Sequence, residues 1–316
     1  MDALHAGLAW LLKSFCVMFY IVPPSELALG EGDTAPPYLL LRGIPMFFVF
    51  IALEAAALPA LRALARATGA KDGSALAAAA ASRGYRLNDG ICSALLGTFQ
   101  QIGLMLFDIA GISLEVTFYT WVYDHCRLAT IDAKATPLLA YVGLMFGKDL
   151  GYYWAHRFLH EWHFMWVGHS VHHSGEDYNL ATGLRQGVWQ PVVGWPFYLP
   201  LALAGFHPVA FHAHAQLNTL YMYWIHTELV GRCGPLEYVF NTPMAHRMHH
   251  RPPGNCNYAG MFIIWDRMFG TYMPERVRRD VYGLAKQPNT SVVSAQTCVC
   301  VCVRDGRGSN TPRAVL

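Results

Sequence analysis

Two neighbouring stretches, residues 188–206 and 209–225, contain no Lys, Arg, Asp or Glu at all, and Gly205-Phe206-His207-Pro208 joins them. Such runs approach the roughly 20 apolar residues that a helix needs to cross a bilayer, and the joint reads as a hairpin tip. Three further candidates lie upstream. Ile44 to Leu61 carries a single Glu54, and Leu138 to Ala155 carries the Lys148-Asp149 pair. Ile91 to Tyr123 is interrupted by Asp108 and Glu115, as one broken span or a shallow hairpin would be. Four to six crossings are predicted. The whole chain agrees: 54% of its 316 residues are hydrophobic and only 14% are charged, against about a quarter charged in an ordinary soluble domain. Too little polar surface is left to cover a globule in water, so the predicted fold class is an all-α, polytopic membrane protein. Disorder, collagen, coiled coil and nucleic-acid binding fit poorly, because the chain is apolar, lacks a heptad repeat and has a formal charge of only +2.

Orientation follows from the excess of Lys and Arg in short cytoplasmic loops. Arg62, Arg66, Lys71, Arg83 and Arg86 follow the first span, whereas Glu26, Glu31 and Asp33 precede it with no base until Arg42. A second basic group, Arg232, Arg247, Arg251, Arg267, Arg276, Arg278 and Arg279, follows the charge-free hairpin. An even number of crossings between the two groups sets both on the cytosolic side. Leu4 to Val22 has Lys13 in its middle and ends at Pro23-Pro24, which reads as an interfacial helix or uncleaved anchor. The eight cysteines form no CxxC framework, which points to reduced thiols.

The chain holds 15 histidines, and eight of them fall in three words: HRFLH (His156, His160), HSVHH (His169, His172, His173) and HRMHH (His246, His249, His250). Residues at i, i+3 and i+4 share a helix face, so each word is expected to aim its imidazoles at one point, as metal-binding helices do. A lone His is more often a core or surface residue, but three such words in one chain argue for metal. A single zinc takes three or four ligands; eight imidazoles suit two ions. Imidazole serves Fe, Zn, Cu and Ni alike, so ligand type leaves the metal open. His226, at the end of the charge-free hairpin, is a candidate ninth ligand. Asp149 lies seven residues before His156, on the same helical face, where its carboxylate is a candidate acceptor for a ligand's ring N–H or a partner for Lys148. Glu161 follows His160 and is a candidate proton carrier or bridging ligand. His5, His125, His163, His207, His212 and His214 are assigned to packing.

The words around these boxes carry a resemblance. KDLGYYWAHRFLHE (148–161), MWVGHSVHHSGEDYNLATGLRQ (165–186), YWIHTELVG (223–231), GPLEYVFNTPMAHRMHH (234–250), NYAGMFIIWDRMFGTY (257–272) and YGLAKQPNT (282–290) resemble the fatty acid hydroxylase superfamily of membrane di-iron proteins, in particular its ether-lipid-cleaving members. The resemblance covers most of residues 15–290. It implies two irons held by the box histidines, with Glu161 and His226 matching family positions. It further implies an endoplasmic-reticulum membrane monooxygenase, its site facing the cytosol. Such an enzyme uses tetrahydrobiopterin and O2 to hydroxylate the carbon next to the ether oxygen of a 1-O-alkylglycerol, giving a fatty aldehyde and a glycerol derivative. A fatty acid, sterol or sphingoid hydroxylase, a zinc hydrolase using Glu161 as base, and an inactive paralogue are the alternatives. The expected organisation is an anchor segment (1–37), membrane helices with a basic loop (38–136), a di-iron domain (137–290) and a divergent disordered tail (291–316). Within the third part, RPPGNC (251–256) is shorter than the corresponding loop of relatives.

Overall fold

The computed structural model describes residues 2–284, apart from 34–35, 72–73, 75, 78–79, 81, 83, 112, 253 and 276–280. The expected tail at 291–316, and Arg83, Arg276, Arg278 and Arg279 of the basic groups, lie outside the described residues. Among those described there is helix and no strand.

Helix α1 (Asp2–Met18) leads to α2 (Leu39–Thr68), which accommodates Pro45 and Pro59 and ends at Gly69 in the left-handed conformation, φ 60°. The long apolar run after residue 91 is not one span. It forms α3 (Leu87–Ile109) and α4 (Leu114–Cys126), separated at Gly111, whose φ of 66° a residue with a side chain rarely adopts. The run 188–206 is helical but distorted: α7 (Trp189–Gly194) passes through a 3₁₀ turn over Trp195–Tyr198 into α8 (Leu199–Leu203), with helical backbone at each junction. Pro191, Pro196 and Pro200 account for this, since proline removes a backbone donor and crowds the preceding turn. Its partner 209–225 is a continuous helix, α9 (Pro208–Trp224). Two described helices are long and apolar enough to cross a membrane, α2 and α3. Their outward faces are apolar, with Phe48, Leu53, Ile102 and Leu106 all at least 44% exposed.

The box words sit on the remaining helices. α5 (Pro137–Glu161) ends at Trp162, whose extended backbone (φ −106°, ψ 120°) makes a one-residue elbow into α6 (His163–His173), and α6 folds back against α5. After α9 come α10 (Pro243–His249) and the short α11 (Ile264–Met268). α5 and α9 pack together at the centre. One core joins α1, α2 and α9 through Met18, Leu39, Phe47, Leu217 and Leu220, and a second joins α4, α5, α8 and α9 through Tyr119, Leu144, Ala202 and Phe211. Glu54 of α2 is turned inward, 5% exposed, and accepts from Leu180 N (2.9 Å), the Tyr85 hydroxyl and Thr227 Oγ1. It thereby ties α2 to the segments that follow the second box and His226.

Candidate metal centre

The nine sequence-named histidines converge, in two groups rather than one point per helix. His156, His160, His169, His173 and His249 form the first group, and His172, His226, His246 and His250 the second, with the potential ligand atoms of each group within 4.8 Å of one another. Helix geometry gives the reason. At 3.6 residues per turn, i+4 lies about 40° from i on one side and i+3 about 60° on the other. In the second box His169 and His173 therefore stay together while His172 crosses to the other group, and in the third His246 and His250 stay together while His249 crosses. Among the described residues His5, His125, His163, His207, His212 and His214 belong to neither group.

In five of the nine rings the outer nitrogen is tied to an acceptor-only oxygen, whereas His246 Nδ1 is buried without a partner. Nδ1 of His156 donates to Tyr258 O (2.7 Å), that of His169 to Gln190 Oε1 (2.9 Å) and that of His172 to Arg185 O (2.7 Å). Nδ1 of His226 donates to Met222 O (2.8 Å) and that of His249 to Cys256 O (2.8 Å). A neutral imidazole that spends its proton at Nδ1 presents a lone pair at Nε2. Burial holds His169, His173, His246, His249 and His250 well below the ordinary imidazole range, and pushes His172 down to about 4. For His156–His169 and His172–His226, whose Nδ1 protons are all fixed, the lone pairs then face one another, and the other Nε2 atoms stand equally close. Nε2–Nε2 separations are 2.9 Å for His156–His169, 3.1 Å for His169–His173 and 3.1 Å for His173–His249 in the first group. In the second they are 3.3 Å for His172–His226 and 3.0 Å for His226–His246. Two lone pairs at this distance repel unless a cation lies between them. Nitrogens held about 2.0–2.1 Å from one ion at right angles are themselves about 3 Å apart, so the donor set fits a metal ion in each group. His160 Nε2 and His250 Nε2 are buried without a hydrogen-bond partner, as such ligands would be.

Neither carboxylate named from sequence stands among these donors. Asp149 shares the face of His156 but lies two turns away, about 10 Å along the helix, beyond reach of a ring nitrogen. Its carboxylate is fully engaged, accepting from Met261 N (2.6 Å), Phe262 N (2.8 Å), Trp265 Nε1 (2.9 Å) and Asn218 Nδ2 (2.9 Å). Asp149 thus acts on the ligands through the 257–265 loop, whose Tyr258 carbonyl orients His156. Glu161 is rotated about 140° from His156 on α5 and pairs with Arg157 at 2.8 Å, its side chain 39% exposed. Sequence reasoning missed Asp266. Wholly buried, it accepts from Tyr258 N (2.8 Å), Ala259 N (2.8 Å) and Thr271 Oγ1 (2.6 Å), and burial pushes its carboxyl up to about 6. Its only signal was a place in the IIWDRMFGT word. Gln190, which fixes the His169 ring, had no signal in spacing.

A cavity of about 1200 Å³ opens beside His156, His169, His172, His226 and His246 and continues between α2, α3, α5 and α9. α3 reaches that wall by packing on residues 184–188: a Cβ at Gly97 would collide with the Leu184 carbonyl, and Gln100 Nε2 donates to Gly187 O (3.2 Å).

A family model described as fatty acid hydroxylase matches residues 141–271, the span that holds all nine histidines. Residues 141–271 are thus similar to fatty acid hydroxylase domains. It is 38% identical over 293 residues to an alkylglycerol monooxygenase of Xenopus tropicalis, covering 90% of this chain and 59% of the relative. Against the alkylglycerol monooxygenase of Homo sapiens the identity is 38% over 283 residues, 88% of this chain and 57% of the relative. The chain therefore spans somewhat less than three-fifths of these relatives' length. An ornithine lipid hydroxylase of Rhizobium tropici is 32% identical over 131 residues, 39% of each chain. No solved structure matches. The matched span begins within α5 and ends just past α11, and α1 to α4 precede it.

Proposed function

We propose that the chain is a membrane monooxygenase that hydroxylates the carbon next to the ether oxygen of 1-O-alkylglycerol lipids, releasing fatty aldehyde and a glycerol derivative. The observation that carries this reading is the pair of all-imidazole donor groups at the end of a long cavity, in a chain similar to alkylglycerol monooxygenases along most of its length. Two iron ions, held by the five- and four-histidine groups, would supply activation of O2, with tetrahydrobiopterin as the electron donor. The chain's own residues prepare for this. Carbonyls of Tyr258, Arg185, Met222 and Cys256 keep the ligand rings neutral and aimed inward, and the largely apolar cavity takes the alkyl chain and excludes water from the reacting end.

Membrane association is supported by α2 and α3. The endoplasmic reticulum and a cytosol-facing site are the finer reading, favoured by the bases at the histidine end: Arg86 pairs with Asp177 (2.8 Å) just after the second box, and Arg247 and Arg251 pair with Glu275 (2.8 and 2.9 Å) beside the third. There a soluble pterin could reach the site. The test is anaerobic iron loading of detergent-purified protein followed by an aldehyde assay. Aldehyde release that needs alkylglycerol, O2 and pterin is expected. Oxygen-independent turnover with about one zinc per chain would overturn the reading.

A further inference from the structure

Away from the metal ligands, the cavity wall holds polar groups that the proposed chemistry does not use. Lys148, Tyr152 and His156 follow one another at i, i+4 and i+8 on α5, and all three line the cavity. Asn218 lines it from α9, eight residues before His226. Lys148 thus lies two helical turns, about 12 Å along the axis, from His156, with Tyr152 midway, and Asn218 lies nearly two turns before the end of α9, just past which His226 stands. Lys148 is 6% exposed and has no carboxylate within ion-pair distance among the described residues; its ammonium sits 3.2 Å above the centre of the Tyr198 ring. The Tyr152 hydroxyl makes no hydrogen bond to the described residues. Asn218 is 2% exposed, and its amide cannot flip: Nδ2 donates to Asp149 Oδ1 at 2.9 Å, so Oδ1 points elsewhere, buried and without a donor.

These atoms specify a partner. Asn218 Oδ1 can only accept, Lys148 Nζ can only donate, and Tyr152 Oη can do either. A phosphate or carboxylate could take protons from Lys148 but has none for Asn218, and Glu115, on the wall of the same cavity, would repel it. A hydroxyl satisfies both sides, donating to Asn218 and accepting from Lys148 or Tyr152. We propose that Lys148, Tyr152 and Asn218 form a subsite for the uncharged, hydroxyl-bearing head group of the lipid substrate. The head then points along α5 and α9 away from the histidine end, and the alkyl chain lies against the apolar walls at Ile44 and Phe47 of α2 and Leu104 of α3. This inference rests on the lipid-monooxygenase reading and adds the head-group chemistry and its direction.

The test is competitive binding to the iron-loaded full chain in detergent, with three probes: an alkylglycerol, the matching alkyl propyl ether without hydroxyls, and the alkylglycerol phosphate. Lys148→Met keeps the stem over Tyr198, and Tyr152→Phe keeps the ring. The expected result is that the parent protein prefers the alkylglycerol to both other probes. Each variant is expected to weaken alkylglycerol binding roughly tenfold, with the bare ether and the iron content unchanged. Tightest binding of the phosphate, lost in Lys148→Met, would show an anion site and overturn the proposal. Equal binding of alkylglycerol and bare ether in parent and variants would overturn it too, leaving the polar atoms to water. Because binding is read without turnover, the expected pattern without aldehyde formation would sink the proposed reaction and leave the subsite standing.

Discussion

In the proposed centre each box histidine offers a lone pair to an ion, and the atom bonded to its other nitrogen decides whether it can. His172 and His249 are informative because each crosses from its own box to the other group. His172→Ala is expected to deplete the four-histidine group and His249→Ala the five-histidine group, each lowering bound iron from about two to about one per chain, read by elemental analysis. Two variants that leave both irons in place would refute the assignment. Asp266 touches no imidazole, yet it holds Tyr258, whose carbonyl orients His156. Loss of such an outer partner typically costs 10–100-fold in metal affinity. Asp266→Ala is expected to fall in that range in a chelator competition, with the His172 group less affected.

At the scale of elements, the site depends on where whole helices and loops are pinned. Glu54 is the clearest pin, joining α2 to Leu180, Tyr85 and Thr227. Glu54→Ala leaves buried donors without an acceptor, each costing about 1–3 kcal/mol, and is expected to lower the unfolding midpoint in detergent. An unchanged midpoint would show that the latch is dispensable. Gly97 is a second pin. Gly97→Leu pushes α3 away from Leu184, opening the cavity wall. A rise in KM for long-chain substrate at unchanged iron content is the expected readout, and an unaltered KM would mean that α3 is not a wall of the working cavity. Pro191, Pro196 and Pro200 were present in the sequence all along. Apolar length alone reads a regular helix there, whereas backbone donor loss at three sites accompanies a 3₁₀ turn within it.

For the molecule as a whole, burying nine imidazoles in the neutral state couples folding and metal binding to pH. An imidazole held below its ordinary value of 6.5 in the fold binds fewer protons there than in the unfolded chain. Its contribution is present above that value and is lost as pH falls, through about 4 for His172. Metal release and loss of stability are therefore expected to begin below about pH 6.5 and deepen toward pH 4, and a flat profile across that window would contradict neutral ligands. The sequence by itself determined the all-helical class and the nine histidines that converge, because composition and i, i+4 spacing are local properties of the chain. Only the tertiary structure decided how the boxes divide into two groups, which carbonyl orients each ring, and that Asp149 braces a loop while Glu161 faces Arg157. The reason is physical. Spacing along a helix fixes the angle at which a side chain leaves the axis, but its reach and its partners depend on which other helix is packed opposite.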